Sequence, residues 1–189
     1  MSDAIYFKRP SWHQVFIEIL ESFAKRSQCI KIQTAALIVH NTHIMAIGYN
    51  GTFRKHKECN VFWREKYEQL YSQAKTLQSH DPIVISSNST LLNFPSFNQW
   101  ILTEEFRLAH RKWSLENEVH AEANALQRID ERNITDDYIM YTLYSPCDLC
   151  AKSIISYGIK TVYYKYLYPR GINAIKKLKN AGIICELIV

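Results

Sequence analysis

Long hydrophobic runs are absent from this chain of 189 residues. A membrane-spanning helix needs roughly 18 or more consecutive apolar residues, and no segment approaches that length. Residues 1–10 also lack the apolar stretch of a secretory signal peptide. We therefore expect neither a membrane anchor nor secretion, and we predict a cytoplasmic protein.

Charge of one sign is not concentrated either. Lys and Arg are scattered along the sequence, and the formal net charge is only +5. Proteins that bind a nucleic-acid duplex cluster their basic residues on one face or along one helix. The sequence therefore disfavours a duplex-binding protein, and a small anionic substrate fits its modest charge better.

A disulfide framework is the third feature that the chain lacks. It has five cysteines, and the most regular pair, Cys147 and Cys150, has the spacing of metal ligands. This usage is typical of a protein from a reducing compartment. With 47% apolar residues the chain can bury one sizeable core, and no segment resembles a second independent domain. We predict a single domain over residues 1–189.

The most informative feature that is present is a pair of motifs, H-x-E at His120 and P-C-x-x-C at Pro146. His120, Cys147 and Cys150 offer one imidazole and two thiolates, which are three ligands of a zinc tetrahedron. The fourth position stays open for water, as in catalytic rather than closed structural zinc sites. The two cysteines lie where a strand is expected to run into a helix, whose N-terminus favours thiolates. The sequence therefore predicts a catalytic zinc site.

The carboxylate of Glu122 has no use in a structural zinc site. Zinc lowers the pKa of its bound water to roughly 7. Glu122 can then take the water proton, deliver it to a ring nitrogen and later protonate the departing ammonia. A C-x-x-C motif alone more often marks a structural zinc or a redox pair. Combined in this order, the two motifs are typical of zinc deaminases that act on cytosine or adenine.

Hydrophobic periodicity predicts the architecture. Helix and strand alternate from the zinc motifs onward, and two apolar runs joined by residues 40–43 predict an antiparallel hairpin. The pattern predicts an α/β fold with a mixed sheet, helices on both faces and the site at the strand-to-helix ends. The predicted helices are 12–27, 61–77, 100–113, 117–132, 147–157 and 172–180, and the predicted strands are 35–39, 44–49, 138–143, 161–166 and 183–188.

The alternation of predicted helices and strands is interrupted between Asn60 and Trp113. This segment is rich in aromatic and polar residues, and residues 79–98 read as a loop containing Ser, Asn and Pro. We predict an insertion at about 60–113 that covers the active site or an oligomer interface, because a linker would contain fewer Trp, Phe and Tyr.

Three segments, Gly48–Gly51, Phe106–Glu122 and Pro146–Lys152, resemble the deoxycytidylate deaminases of T-even-type bacteriophages. The resemblance extends over most of the chain, from Arg9 to Lys160. It implies a three-layer α/β/α cytidine-deaminase-like fold with a central mixed five-stranded sheet. It also implies conversion of dCMP to dUMP for thymidylate synthesis, and a homohexamer with effector sites between subunits.

The phage branch of that family also holds a second, structural zinc. The matching positions in this chain are Cys29, Cys59, His110 and Glu118, and all four residue types are acceptable zinc ligands. The residues alone leave another interpretation open, with two small buried cysteines and a surface histidine. The resemblance favours zinc. Cys185 has no partner in this scheme and is expected in the core.

Candidates for substrate contacts follow from the implied monophosphate. Arg26, at the end of the first predicted helix, is the candidate phosphate ligand because Arg binds phosphate bidentately. A solvated Arg favoured by the helix dipole is an equal alternative. The backbone beside Ala121 and the Asn50 side chain are the candidates for cytosine recognition. Trp113, Tyr144 and Ser145 are candidates for the pocket wall, although Trp113 fits a core equally well.

The segment Gly48-Tyr49-Asn50-Gly51 has two interpretations that can both hold. Asn-Gly is the strongest short turn signal. The resemblance implies that Asn50 contacts the nucleoside, and that all four residues belong to an allosteric site where dCTP activates and dTTP inhibits, with Mg²⁺ on the triphosphate. The chain departs from the family after Gly51, where residues 52–57 are basic and lack the usual Pro and Gly.

Three other functions stay open at this stage. A nucleoside-level cytidine deaminase would need neither Arg26 nor an effector motif. A tRNA or single-stranded DNA deaminase should have a basic groove lined by aromatic residues. A non-enzymatic zinc scaffold would have no use for Glu122.

Overall fold

The computed structural model of the protein describes residues 8–79, 95–129 and 137–188. These residues form two compact units. Unit 1 contains the described residues up to Ser27, those of Lys31–Gly51 and those from Val119 onward. Unit 2 contains Gln28–Ile30 and the described residues of Thr52–Glu118. The insertion predicted at 60–113 lies in the sequence range of unit 2, and the single domain over 1–189 stays a prediction.

The described strands and helices follow the order expected of an α/β chain. The strands are β1 (Ala35–His40), β2 (His43–Tyr49), β3 (Gly51–Thr52), β4 (Glu118–Val119), β5 (Ile139–Tyr144), β6 (Thr161–Tyr166) and β7 (Ile184–Leu187). The helices are α1 (Trp12–Ala24), α2 (Cys59–Ser79), α3 (Phe97–Trp100), α4 (Glu104–Asn117), α5 (Ala121–Leu126), α6 (Asp148–Ser156) and α7 (Ile172–Asn180).

Unit 1 is built on a mixed five-stranded sheet in the order β2-β1-β5-β6-β7. Strand β1 is antiparallel to β2 and to β5, whereas β5, β6 and β7 are parallel. This is the mixed five-stranded sheet that the sequence predicts. The carboxyl ends of the parallel strands lie at one edge, where the chain passes from β5 toward α6.

The sheet has a hydrophobic core on each face. Alternate residues of β1 point to opposite faces, as the period of a strand requires. Leu37 packs in a core with Phe16 and Leu20 of α1. Ile38 packs in the other core, whose helical residues come from α5, α6 and α7: Ala121, Ala125, Leu126, Cys150, Ala151, Ile154, Ala174 and Leu178. The prediction of helices on both faces is confirmed.

Unit 2 is helical and has an aromatic core of its own. Trp63 of α2 contacts Trp100 of α3 and Phe106 of α4, with ring centroids 6.0 and 5.0 Å apart. Such pairs stabilise a packed core beyond the area that they bury. Cys29 and Cys59 lie in the same core. Most of the loop predicted at 79–98 falls on residues 80–94, outside the described residues.

Helix boundaries around the H-x-E motif differ from the prediction. The sequence predicted a helix over 117–132, but α4 continues to Asn117 and the chain is then extended, with φ −112° and ψ 142° at Glu118. Helix α5 begins only at Ala121, and residues 130–136 lie outside the described residues. Periodicity could not reveal the break, because the apolar and polar residues keep helical spacing through it.

Two other helices also start or stop away from the predicted residues. The helix predicted at 100–113 is α4, which begins at Glu104 because the Thr103 side chain accepts a hydrogen bond from Phe106 N at 3.2 Å. Helix α1 ends at Ala24, so Arg26 lies beyond it rather than in its last turn. No helix in the described part of the chain has both the length and the apolar character needed to cross a membrane.

Candidate active site and metal centres

The first group of possible metal ligands lies in unit 1 and is called the three-ligand cluster: His120, Cys147 and Cys150. His120 Nδ1 lies 3.3 Å from Cys150 Sγ and 3.4 Å from Cys147 Sγ. The three ligand atoms all lie within 4.8 Å of one another. The structure thus brings together residues that are 27 and 30 positions apart in the sequence.

Two helix starts position these ligands. His120 is the N-cap of α5 and Cys147 is the N-cap of α6. Neither side chain makes a capping hydrogen bond, so both are directed toward the cluster instead. Cys150 follows in the first turn of α6, where the partial positive charge of a helix N-terminus favours a thiolate.

The pKa values of the two thiols are shifted in opposite directions. A hydrogen bond with Cys150, together with one from His120, lowers the pKa of Cys147 to about 4. The same hydrogen bond with Cys147, together with burial, raises the pKa of Cys150 above that of an ordinary thiol. Zinc binds the thiolate forms, so binding releases the proton of any ligand that is still a thiol.

The three-ligand cluster fits zinc. Tetrahedral zinc, with bonds of about 2.0–2.1 Å to nitrogen and about 2.3 Å to sulfur, holds neighbouring N and S ligand atoms about 3.6 Å apart. The observed separations from His120 Nδ1, 3.3 and 3.4 Å, are close to that value. A donor set of one imidazole and two thiols is one that zinc prefers, and it leaves the fourth coordination position to another molecule.

Glu122 lies beside the three-ligand cluster without belonging to it. It stands in the first turn of α5, two residues after His120, and only 7% of its surface is exposed. Burial raises the pKa of its carboxyl group above the usual range, against the opposing attraction of His120. A buried carboxyl group whose pKa is raised can both accept and return a proton near neutral pH.

The second group of possible metal ligands lies in unit 2 and is called the four-ligand cluster: Cys29, Cys59, His110 and Glu118. All four residues are buried, and their ligand atoms lie within 4.8 Å of one another. His110 Nε2 is 3.3 Å from Cys59 Sγ and 3.7 Å from Cys29 Sγ. A hydrogen bond with Cys29 and burial raise the pKa of the Cys59 thiol.

One buried oxygen in this cluster shows that the four residues fit a metal. Glu118 Oε2 accepts a hydrogen bond from the Ser114 hydroxyl, while Oε1 is buried and accepts none from the described residues. A buried carboxylate oxygen without a hydrogen bond is costly unless it binds a cation. Burial also raises the pKa of Glu118. Two thiols, an imidazole and this carboxylate complete a closed tetrahedral set.

Asn50, the predicted nucleoside contact, is buried at the end of β2. Its Oδ1 accepts a hydrogen bond from Thr34 N at 3.0 Å, and its Nδ2 donates to the Ile32 carbonyl at 2.9 Å. The side chain therefore holds the segment before β1, and one further donor and acceptor position remain on the amide. Contact with a nucleoside stays a prediction.

The other candidates for substrate contacts are split between the two units. In unit 1, Ser145 Oγ accepts a hydrogen bond from Tyr168 N at 2.9 Å, and Tyr144 packs against Tyr166 with centroids 5.4 Å apart. Ala121 is buried in the core beside Glu122. Arg26 is exposed. The roles predicted for these residues in substrate binding stay predictions.

Trp113, the remaining wall candidate, lies in unit 2. It is half-buried, and its ring stacks on Phe62 with centroids 4.8 Å apart and an interplanar angle of 22°. This environment matches the alternative that the sequence left open, a tryptophan at the edge of a core. A substrate contact for Trp113 stays a prediction.

The predicted effector segment has a structural task in unit 1. Gly48 is buried, and a Cβ atom placed on it would lie 2.5 Å from both the Ala121 carbonyl oxygen and Ala125 N. A Cβ atom placed on Gly51 would meet only a Tyr49 ring atom, at the ordinary contact distance of 4.0 Å. Gly48 therefore allows α5 to lie directly on β2, and binding of an effector here stays a prediction.

Sequence inspection did not identify Asn124 and Arg128, which join α5 to β2. Asn124 Nδ2 donates to the Tyr49 carbonyl at 2.8 Å, and Arg128 Nη1 donates to the Ile47 carbonyl at 3.2 Å. The sequence shows these two only as polar residues four positions apart, the spacing of neighbours on one face of a helix. The same spacing is common on solvated helix faces, so it does not predict a contact with a strand.

Comparison with known proteins identifies the family. The family model of the cytidine and deoxycytidylate deaminase zinc-binding region matches residues 10–166. The chain belongs to this family. The deoxycytidylate deaminase of Enterobacteria phage T4 is 32% identical over 172 residues, which cover 88% of this chain and 84% of that protein. The family members are zinc-binding deaminases, which confirms the enzyme class and the resemblance predicted from the motifs.

More distant similarities extend over the same length. ComE operon protein 2 of Bacillus subtilis is 25% identical over 182 residues, 96% of this chain and 73% of that protein. The crystal structure of the dCMP deaminase from cyanophage S-TIM5 in complex with dCMP and dUMP aligns over 96% of this chain and 100% of that chain. Its TM-score is 0.59 at 22% sequence identity, which establishes a shared fold.

Proposed function

We propose that this chain catalyses the hydrolytic deamination of dCMP to dUMP and ammonia. The observation that carries the proposal is the three-ligand cluster with the buried Glu122 two residues after its histidine. The names of the relatives support the choice of nucleotide, since the T4 and T2 phage proteins are both deoxycytidylate deaminases. In the cytoplasm, the dUMP formed would supply thymidylate synthesis.

His120, Cys147 and Cys150 would hold the zinc ion. Zinc, when bound, supplies the Lewis acidity that makes water a nucleophile near neutral pH. The Glu122 carboxylate takes a proton as water attacks C4 of the cytosine ring, and delivers it to N3. Glu122 then takes the remaining proton from the hydroxyl group on C4 and transfers it to the amino group, so that the C4 carbonyl forms as the C4–N bond breaks and ammonia leaves. Burial excludes bulk water from the carboxyl group and keeps its pKa suited to both transfers.

Binding of the rest of the nucleotide is assigned to residues of unit 1. The backbone beside Ala121 and the remaining hydrogen-bonding positions of Asn50 would recognise the cytosine. Tyr144 and Ser145 border the ring. Arg26 is exposed and beyond the end of α1, so its guanidinium group can rearrange to grip a phosphate bidentately.

The four-ligand cluster is proposed to hold a structural zinc ion. Four protein ligands close the tetrahedron, so this metal would have no position for substrate. Its free energy of binding would stabilise the fold of unit 2. The Glu118 oxygen that accepts no hydrogen bond from the described residues supports this assignment.

Regulation and assembly belong to the same proposal. Gly48, Tyr49, Asn50 and Gly51 are proposed to take part in an effector site for dCTP, the activator, and dTTP, the inhibitor, with Mg²⁺ on the triphosphate. A homohexamer would place such sites between subunits. The basic residues of 52–57 offer charge for a triphosphate.

The proposal is tested by measuring ammonia release from dCMP, CMP, deoxycytidine and a short single-stranded DNA. Each substrate is assayed alone, with dCTP and Mg²⁺, and with dTTP. Turnover of dCMP that dCTP raises and dTTP suppresses is the expected result. Turnover confined to deoxycytidine or to DNA would contradict dCMP as the substrate, and turnover of dCMP without any response to triphosphates would contradict the effector site alone.

A further inference from the structure

Helix α5 is attached to the open edge of the sheet through its side chains. Strand β2 is the first strand of the sheet, and among the described strands only β1 pairs with it. Hydrogen-bonded and non-hydrogen-bonded pairs alternate along an antiparallel ladder. Asn50 N donates to the Thr34 carbonyl, so the neighbouring pair of Tyr49 and Ala35 is non-hydrogen-bonded. The Tyr49 carbonyl therefore points to the open edge.

The carbonyl of Ile47, two residues earlier, points in the same direction. Asn124 and Arg128 of the α5 segment satisfy these two carbonyls, at 2.8 and 3.2 Å. Asn124 lies in α5 and Arg128 lies in the turn after it, and both side chains reach the same edge of β2. These two edge carbonyls are thus paired with side chains of α5 and of the turn that follows it.

Backbone contact reinforces this attachment at Gly48. Its missing Cβ leaves room for the Ala121 carbonyl, for Ala125 N and for the Asn124 carbonyl carbon, which a Cβ would approach to 2.5, 2.5 and 2.8 Å. All three atoms belong to the α5 backbone, which cannot move aside as a flexible side chain would. The position of α5 relative to β2 is therefore fixed by Gly48 below it and by Asn124 at its side.

This attachment connects two parts of the proposed active site. Helix α5 carries Glu122 and has the ligand His120 as its N-cap, whereas β2 leads directly into Asn50. The hydrogen bond from Asn124 ends on the carbonyl of the Tyr49–Asn50 peptide bond. Asn124 follows Glu122 by two residues, which is about 200° around the helix, so its side chain projects away from the carboxylate.

We propose that Asn124 is a positioning residue for the deamination reaction. Through the Tyr49 carbonyl it fixes the distance between Glu122 with His120 on α5 and Asn50 at the end of β2. The inference rests on the proposed function for its kinetic consequence, but the attachment itself can be measured without turnover. Displacement of a catalytic group by about 1 Å can lower the rate about a hundredfold.

The experiment compares Asn124→Ala, Asn124→Gln and Gly48→Ala with the wild-type enzyme loaded with zinc. Steady-state kinetics with dCMP give kcat and KM, and hydrogen exchange of the α5 amides reports whether the helix stays on β2. For Asn124→Ala we expect kcat to fall about 10- to 100-fold with KM changed less than about threefold. We expect the α5 amides to exchange at least about tenfold faster, with zinc content unchanged.

Asn124→Gln keeps an amide donor on a longer side chain, and it should recover most of the lost kcat. Gly48→Ala pushes α5 from the other side and should lower kcat while Asn124 is intact. Gln127→Ala is the matched control, because Gln127 is an exposed residue at the C-cap of the same helix. It should change neither kcat nor the exchange of α5 by more than about twofold.

The proposal is overturned if Asn124→Ala lowers only the melting temperature and leaves kcat within about twofold of wild type. It is also overturned if α5 exchange is unchanged, or if Asn124→Gln is as impaired as Asn124→Ala. Failure of the proposed function would look different. A wild-type enzyme that binds zinc but does not turn over dCMP would contradict the substrate, and the exchange rates would still decide whether Asn124 holds α5 on β2.

Discussion

Both metal-ligand clusters combine two cysteines with a histidine, but they differ in the position of the carboxylate. In unit 2, Glu118 lies within ligand distance and completes a buried set of four. In unit 1, Glu122 lies in the first turn after His120, and the ligand set contains three residues. The three-ligand cluster is also less enclosed, since His120 and Cys147 are only half-buried.

The difference shows how one ligand chemistry serves two purposes. A carboxylate that binds the metal closes its coordination and stabilises a fold. A carboxylate held next to an incomplete ligand set is available for proton transfer. The three predictions that follow test this contrast, from the largest expected effect to the smallest.

Substitution of Glu122 by Gln should nearly abolish turnover. The amide has the same shape but cannot accept and return a proton, and general acid–base catalysis contributes about 10²–10⁴-fold. We expect kcat to fall by about 10³-fold or more, with zinc content and melting temperature close to wild type. Metal analysis and ammonia release measure both. Turnover within about tenfold of wild type would exclude Glu122 as the proton carrier.

Substitution of His110 by Ala should affect unit 2 and leave the three-ligand cluster loaded. The zinc content should fall from two ions to one per chain. Loss of a structural metal belongs to the changes that cost more than about 4 kcal/mol of stability. The rings of Trp63 and His110 are stacked at 5.9 Å, so tryptophan fluorescence should also report metal release.

His56→Ala is the matched control for that experiment. His56 is an exposed histidine of unit 2 that packs edge-on against Phe53 and is not among the cluster ligands. It should keep two zinc ions per chain. One zinc ion per chain in the wild-type protein, or two in His110→Ala, would contradict a metal in the four-ligand cluster.

Substitution of Lys177 by Ala should have the smallest effect. Lys177 Nζ lies 2.8 Å from the carboxylate of Asp148, the residue after Cys147, and both side chains are about half exposed. Exposed ion pairs contribute about 0–1 kcal/mol. We expect a change in unfolding free energy below about 0.5 kcal/mol and a kcat within about twofold of wild type. A larger loss of kcat would mean that surface charge next to Cys147 tunes the three-ligand cluster.

The two clusters also differ in how far the sequence revealed them. Two compact motifs contain the three-ligand cluster. His120 and Glu122 lie at the start of α5, and Cys147 and Cys150 lie at the start of α6. Cys29, Cys59 and His110 are 81 residues apart at most and lie on separate segments. No spacing rule connects such positions, so only resemblance to a family grouped them before the structure was known.

Helix limits were the weaker part of the sequence prediction. The mixed sheet and the order of its five strands along the chain were correct, since alternation of apolar runs sets both, whereas the short elements β3, α3 and β4 were not predicted. At the break missed by the prediction, Glu118 is extended and its side chain is buried in the four-ligand cluster, a long-range environment that local periodicity does not report. The prediction also placed Arg26 inside the first helix, whereas α1 ends at Ala24. The end of a helix depends on backbone hydrogen bonds that composition does not show.

The amino-acid sequence by itself determined the zinc deaminase chemistry, because metal ligands and a proton carrier must have particular side chains at short, fixed spacing. It also determined the fold class through the period of its apolar residues. Only the tertiary structure decided that Gly48 and Asn124 hold α5 against the edge of β2. That contact depends on the close approach of two backbones, and residues 76 positions apart leave no local pattern that predicts it.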